Sequence, residues 1–267
     1  MSQLGLCFLG VGNSQALALG SSSAVLEVGD APRLLIDCGP GTLDAYLGRY
    51  GESPRAIFIT HAHFDHVGGL EGLYYRLATS TQTPAPVRLY VPVTLIPVLQ
   101  RRLADYPNLL AEGGSNFWDV FQLVPVSEAF WHEDWRFTVF PVRHHEYLSA
   151  FGLALEGMFL YSGDTRPIPE VVNRYANRGE WIFHDCCSVA NPSHTGVDDL
   201  MGEYKSEQWQ RMVVYHYESE QAGRLLEARG LTIAHPGQRF ALDPRPPLVE
   251  ESVANGQIKR LPGAVGW

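Results

Sequence analysis

The sequence predicts an α/β protein in which sheets are covered by helices. Three observations carry that prediction. Short apolar runs alternate with helix-like segments, and the early runs come in pairs rather than in a simple strand–helix–strand series. Gly and Pro, 26 and 18 of 267 residues, cut the chain into many short elements. A hydrophobic content of 45 %, with 11 % aromatic residues, is enough to fill a core and excludes a disordered chain. The length allows one or two domains, and compact α/β folds of this size often run as one, so a single domain spanning residues 1–267 is expected.

Leu4–Leu9, Ala24–Val28 and Arg33–Asp37 read as strands, with Ser21-Ser22-Ser23 in one connection. Gly41–Arg49 reads as a short helix capped by Thr42. Ala56–Thr60 has the unbroken apolar character of a strand buried on both faces, and it runs into His61-Ala62-His63-Phe64-Asp65-His66. A helix is expected from Gly68 to about Ala78, a strand over Val87–Val91, and a helix capped by Thr94 running to Leu103. Residues 105–130 form the least regular stretch, with a flexible point at Gly113-Gly114. Its aromatics Phe117, Trp118 and Phe121 could stack a base, line a dimer interface or pack in the core. Trp135–Val142 alternates as a strand, and Phe151–Glu156 with Phe159–Ser162 reads as a hairpin turned at Glu156-Gly157. Helices follow over Ile168–Ala176 and Ser219–Ala228, and strands over Trp181–His184, Met212–His216 and Leu231–Ala234. After Asp243, the prolines 244, 246 and 247 predict an extended tail.

Twenty Lys and Arg against 29 Asp and Glu leave a net charge of −9, which discourages a general binder of phosphate backbones. A local cationic site is not excluded. No basic segment followed by a long apolar stretch opens the chain, and no run approaches the roughly 18 apolar residues of a membrane span. The cysteines, Cys7, Cys38, Cys186 and Cys187, are expected to be reduced and the protein cytoplasmic.

The chemistry concentrates at His61–His66. Three histidines and an aspartate within six residues at a strand end serve no packing purpose. His61 and His63 project to one side of an extended segment, and a turn can bring Asp65 and His66 alongside, toward a second ion. Imidazole with carboxylate suits Zn²⁺, and also Mn²⁺ or Fe²⁺. Further ligands are expected at later strand ends. Asp164, in Tyr161-Ser162-Gly163-Asp164-Thr165, can bridge two ions, and His216 ends the strand MVVYH. Of His144 and His145, alternation places His144 on the face of Phe140 and Val142, which favours it as the ligand.

These residues resemble the metallo-β-lactamase superfamily. Other stretches resemble its ribonuclease Z and phosphodiesterase branch: Gly10-Val11-Gly12, Leu35 to Thr42, Tyr161 to Pro167, Ile182-Phe183-His184-Asp185, Ser193-His194-Thr195 and His216. The resemblance covers roughly residues 4–235. It implies an αβ/βα four-layer sandwich with a binuclear site at one edge. It further implies that His61, His63 and His144 hold the first ion and Asp65, His66 and His216 the second, with Asp164 between them. His194 matches the branch histidine that assists the leaving group. The chain departs from the branch at Asp185-Cys186-Cys187-Ser188 and Tyr217-Glu218-Ser219-Glu220, and it lacks a long basic arm for tRNA.

The expected activity is therefore that of a metal-dependent hydrolase. Two divalent ions with Asp65, Asp164 and a bridging hydroxide leave roughly one net positive charge, and such a pocket favours an anionic substrate. Coordinated water is acidic enough, with a pKa near about 7, to supply hydroxide. Asp65 would orient that nucleophile, and His194 would protonate the leaving oxygen, an effect of roughly 10²–10⁴-fold. The leading reading is hydrolysis of a small or cyclic phosphodiester. The alternatives are tRNA 3′-end processing on RNA, lactone or thioester hydrolysis, and a non-catalytic metal-binding sensor. Sequence leaves a homodimer open and leaves Arg166 as either a phosphate contact or a structural ion pair.

Overall fold

A computed structural model describes residues 3–80, 85–105 and 116–245. Two seven-stranded sheets lie face to face. The first contains β1 (Leu4–Gly10), β2 (Ser23–Val28), β3 (Ala31–Ile36), β4 (Ala56–Phe58), β5 (Val87–Pro92) and β6 (Phe121–Val126) in spatial order, with β14 (Arg239–Ala241) on the far side of β1. The second contains β7 (Ala129–His132), β8 (Trp135–Pro141), β9 (Phe151–Leu155), β10 (Phe159–Tyr161), β11 (Trp181–Asp185), β12 (Met212–Tyr215) and β13 (Thr232–Ile233) in that order. In each sheet the early strands pair antiparallel and the later ones parallel, except that β14 pairs antiparallel with β1.

The inner faces meet through aromatic rings. Phe8 of β1 lies 5.5 Å from both Phe183 and Tyr215 of the second sheet, and Phe58 of β4 stacks on Phe130 of β7 at 5.5 Å. Rings in offset or tilted contact at this range add about 0.5–1.5 kcal/mol each beyond their burial. Helices α1 (Thr42–Tyr50), α3 (Gly69–Ala78) and α5 (Phe117–Val120) pack on the first sheet. Helices α6 (Pro169–Tyr175) and α7 (Val197–Glu203) follow β10 and β11 in the chain, and α8 (Ser206–Trp209) and α9 (Glu220–Ala228) pack on the second sheet. The outcome is the four-layer sandwich that the resemblance implied.

Several local expectations change. Residue 41 takes the N-cap position of α1 in a left-handed conformation, and the Thr42 hydroxyl instead meets Ser23 Oγ at 3.2 Å. The helix expected from Gly68 begins earlier, as α2 (Phe64–Val67) followed by α3, so Asp65 and His66 stand on a helical turn. Thr94 does not cap a helix. It lies in a 3₁₀ turn, and its hydroxyl donates to the Leu148 carbonyl at 2.7 Å. From there the chain passes through α4 (Ile96–Leu99) and a π-helical stretch, Gln100–Ala104. The described part of 105–130 is regular, not irregular, with α5, β6 and β7 in it. Phe117 and Phe121 are buried, so core packing is their role, while Trp118 donates from Nε1 to Gln100 Oε1 at 2.8 Å. The Gly113-Gly114 point and the tail from residue 246 fall outside the described residues.

Candidate metal centre

The site forms where the two sheets are tied together at one edge. Thr60, just past β4, accepts the amide of Phe151 at 2.9 Å, and His61 bridges antiparallel to Ala150. On the other side, the His216 amide donates to Val11 past β1 at 2.7 Å. His61 and His216 therefore sit at points where a loop of one sheet is hydrogen-bonded to the other sheet.

Two close approaches require glycine. A Cβ on Gly39 would stand 1.8 Å from the Asp65 carbonyl, so Gly39 is what lets the α2 turn settle on the β3 loop. Gly163 has φ +64, and a Cβ there would lie 2.7 Å from the Phe151 carbonyl. Its left-handed turn delivers Asp164 to the centre. Two non-glycine residues also hold positive φ here, Asp37 at 61° and His216 at 69°. Such backbone costs on the order of 1–3 kcal/mol and persists only where the surroundings over-determine it.

Asp164 is the hub. Its Oδ2 lies 3.2 Å from Nε2 of His66 and of His216, 3.7 Å from that of His61 and 3.9 Å from that of His144. Asp65 Oδ2 lies 3.6 Å from Nε2 of both His66 and His216. His63 Nδ1 stands 3.2 Å from His144 Nε2. Two nitrogens on one tetrahedral zinc, each at about 2.0–2.1 Å, stand roughly 3.3 Å apart, so this separation fits a shared ion. The groups His61-His63-His144 and Asp65-His66-Asp164-His216 each bring their ligand atoms within 4.8 Å of one another. His144 is buried and aimed inward, whereas His145 is exposed beside Ser193.

The outer contacts free one nitrogen on each of these rings. His66 donates from Nδ1 to Asp37 Oδ2 at 2.8 Å. Thr60 gives its amide to Asp37 Oδ1 at 2.8 Å and its hydroxyl to Oδ2 at 2.7 Å, and its oxygen accepts from His61 Nδ1 at 3.1 Å. His144 donates from Nδ1 to the Ser193 carbonyl at 2.9 Å. His216 Nδ1 faces Asp185 Oδ1 at 3.5 Å. Every one of these arrangements turns Nε2 toward Asp164. Nε2 of His61, His66 and His216 and both oxygens of Asp164 are buried without a hydrogen-bond partner. Orphaned buried acceptors of this kind are costly unless a cation satisfies them, and a pair of divalent ions fits the donor set.

The electrostatics divide the rings: Asp164 outweighs burial at His66, raised well above the ordinary imidazole value, and at His216, raised to about 10, so these two carry a proton that a metal ion would have to displace. Burial resists charge on Asp164, yet His216 and His66 outweigh it and hold the carboxyl well below its usual range. Burial keeps His61 well below the ordinary imidazole value and pushes His144 down to about 4, so both are neutral donors at pH 7.

His194 stands at the rim, 18 % exposed, with Nδ1 on Asp185 Oδ2 at 2.8 Å and its ring stacked 4.8 Å from that of His216. Burial opposes its charge, but the bond to Asp185 prevails and raises its pKa. Sequence reading missed Asp185 and Asp37 as parts of the site. The signal for both was faint, a carboxylate at the end of a buried strand beside a candidate ligand. Arg166 takes a structural role, donating from its amide and Nε to the Arg143 carbonyl at 2.9 and 3.3 Å. Among the described residues, no helix is long and apolar enough to cross a membrane.

A family profile described as "Anti-Pycsar protein Apyc1" matches residues 4–240. A protein of that description from Bacillus phage 010DV004 is 29 % identical over 259 residues, covering 89 % of this chain and 98 % of its own. A ribonuclease Z from Gemmatimonas aurantiaca is 31 % identical over 139 residues, 51 % of this chain and 42 % of that protein. Among solved structures, a diphosphatase from the PhnP family superposes with a TM-score of 0.72 at 20 % identity, covering 91 % of this chain and 99 % of the other. The metallo-β-lactamase fold protein YhfI from Bacillus subtilis superposes with a TM-score of 0.69 at 14 % identity, covering 89 % and 99 %. The fold is the metallo-β-lactamase fold, and the resemblance to the ribonuclease Z and phosphodiesterase branch stands.

Proposed function

This chain belongs to the family described as Anti-Pycsar protein Apyc1, and from that premise we propose that it is a binuclear metal-dependent phosphodiesterase acting on a small cyclic phosphodiester. A cyclic nucleotide is the first substrate class to test. One observation carries the reading: a single buried carboxylate oxygen, Asp164 Oδ2, stands within 3.2–3.9 Å of Nε2 on four histidines.

In this reading His61, His63 and His144 hold one divalent ion, zinc by the donor set, and Asp65, His66 and His216 hold the second, with Asp164 shared. Ions bound there would polarise a phosphoryl oxygen and make a coordinated water acidic enough to attack at neutral pH. The chain's residues do the rest. Asp65, 14 % exposed, is the carboxylate open to solvent and orients the attacking water. His194 carries a proton on Nε2, because Asp185 accepts the Nδ1 proton and stabilises the imidazolium. That proton passes to the leaving oxygen, a contribution of roughly 10²–10⁴-fold. The same Asp185 faces His216 Nδ1, so one carboxylate aligns the acid with a ligand of the second ion.

The half-length likeness to a ribonuclease Z favours precursor tRNA as the second substrate to try. The test combines elemental analysis with turnover of cyclic nucleotides, aryl phosphodiesters, precursor tRNA and lactones. Asp164→Ala is expected to lose bound metal and to slow hydrolysis more than about 100-fold, beyond the usual cost of an outer-sphere change. Full activity in that variant would sink the binuclear reading. Cleavage of precursor tRNA with a steep salt dependence, and no turnover of small diesters, would move the assignment to RNA.

A further inference from the structure

The segment after β11 folds into a compact flap, residues 187–196. Cys187 and Gly196 pair at its base, with the Cys187 amide on the Thr195 carbonyl at 2.9 Å and the Val197 amide on the Cys187 carbonyl at 3.1 Å. Near its tip Asn191 Oδ1 accepts the amides of Ser193 and His194 at 2.9 and 3.1 Å. The tip serves the centre twice, since Ser193 gives its carbonyl to His144 Nδ1 and His194 is the proton donor. Two straps hold the flap. Thr195 donates its amide and hydroxyl to the Thr165 carbonyl at 2.9 and 2.8 Å, beside Asp164. On the opposite side, two residues beyond His216, Glu218 accepts the Ser188 amide at 3.3 and 3.2 Å and also the Ser188 hydroxyl.

We propose that Glu218 is a positioning residue that latches this flap, so that His194 and the Ser193 carbonyl are presented to the centre together. The role rests on the phosphodiesterase reading. In the step concerned, water gives up one proton to solvent as its oxygen bonds to phosphorus, and the P–O bond to the leaving group breaks. The electron pair stays on the leaving oxygen, which takes the His194 proton. A nitrophenolate leaves without that proton, whereas a sugar alkoxide requires it. Glu218 is half-buried and belongs to none of the ligand groups, so at saturating metal, where bound ions would hold His144 in place, its remaining effect falls on the protonated step.

The test compares Glu218→Ala and Glu218→Gln with wild type on bis(4-nitrophenyl) phosphate and on a 3′,5′-cyclic nucleotide. Amide hydrogen exchange over residues 186–196 is read in both metal-free and metal-loaded protein. Glu218→Ala is expected to exchange faster at Ser188 and through the flap. It should lose about 10–100-fold on the cyclic nucleotide and less than about threefold on the nitrophenyl ester. Glu218→Gln, which keeps an acceptor for the Ser188 amide, is expected to restore most of both. Unchanged exchange overturns the latch, as does an equal loss on both substrates or a Gln variant no better than Ala. If wild type turns over neither probe, the phosphodiesterase reading is lost and the exchange comparison alone decides the latch.

Discussion

Asp37 contacts neither proposed ion yet orients two imidazoles, His66 directly and His61 through Thr60. Its backbone is left-handed, φ 61°, and its carboxylate meets His66 of α2 at 2.8 Å. Asp37→Asn offers an amide where His66 needs an acceptor. It is expected to weaken metal retention about 10–100-fold while leaving a cooperative fold, as read by competition with a graded chelator. Retention equal to wild type would show that the ligands are held by other contacts. At this scale the sequence was most informative where ligands cluster locally. His61, His63, Asp65 and His66 declare themselves within six residues, and Asp164 and His216 by ending strands. Asp37 and Asp185 act through partners far along the chain, and only the folded arrangement reveals such contacts.

Elements were legible in proportion to how local their causes are. The Phe151–Leu155 and Phe159–Tyr161 hairpin turns at Gly157, φ 74°, as Glu156-Gly157 predicts. Helix α9 starts where Ser219 caps it, the hydroxyl accepting the Ala222 amide at 3.1 Å. Ser219→Ala is expected to cost about 1 kcal/mol in a urea titration, and Ser219→Asn close to nothing. A loss below about 0.3 kcal/mol would mean that α9 is fixed by packing instead. Strand β6 escaped notice because Pro125 argues against a strand, yet β6 is the edge of its sheet, where a missing amide is tolerated. Strand β14 has three residues and exists only because β1 offers it an edge. The single helix expected over 94–103 divides into three kinds of turn. Pro97 sits in the first turn of α4, and the Asp105 amide reaches back five residues to Gln100 at 2.9 Å.

At the scale of the whole molecule, His184 gives stability one defined contribution to its pH dependence. His184, fully buried in β11, donates from Nδ1 to the Asp185 carbonyl and accepts the Tyr204 hydroxyl on Nε2, both at 2.7 Å. Burial lowers its pKa below the ordinary value. The unfolded chain, with a pKa near about 6.5, therefore binds more protons than the folded one under acid conditions. Stability from this group is complete above about pH 6.5 and is lost as the pH falls below it, by up to about 1.4 kcal/mol per pH unit. His184→Asn should flatten the slope of unfolding free energy between pH 7.5 and 5.5 by up to that amount relative to wild type. Parallel slopes would show that His184 does not titrate on unfolding. The sandwich itself was visible in the sequence through its paired early strands and its motifs. The face-to-face registry was not, because rings such as Phe8 and Tyr215 meet only across the sheets.

The tie between Thr60 and Phe151 also sets an order of events during biogenesis. The first cluster of histidines leaves the ribosome early, but Asp164 and His216 emerge 98 and 150 residues after His66. No complete cage exists until the second half of the chain has docked on the first. On the proposed ligand set, metal uptake would be the closing act of maturation, and a captured ion would act as a clasp between the halves. Stripping it with a chelator should lower the melting temperature, by an amount equivalent to about 4 kcal/mol when free zinc exceeds the dissociation constant a thousandfold. Calorimetry before and after zinc is restored would measure that clasp directly, and identical melting curves would mean the halves close without it.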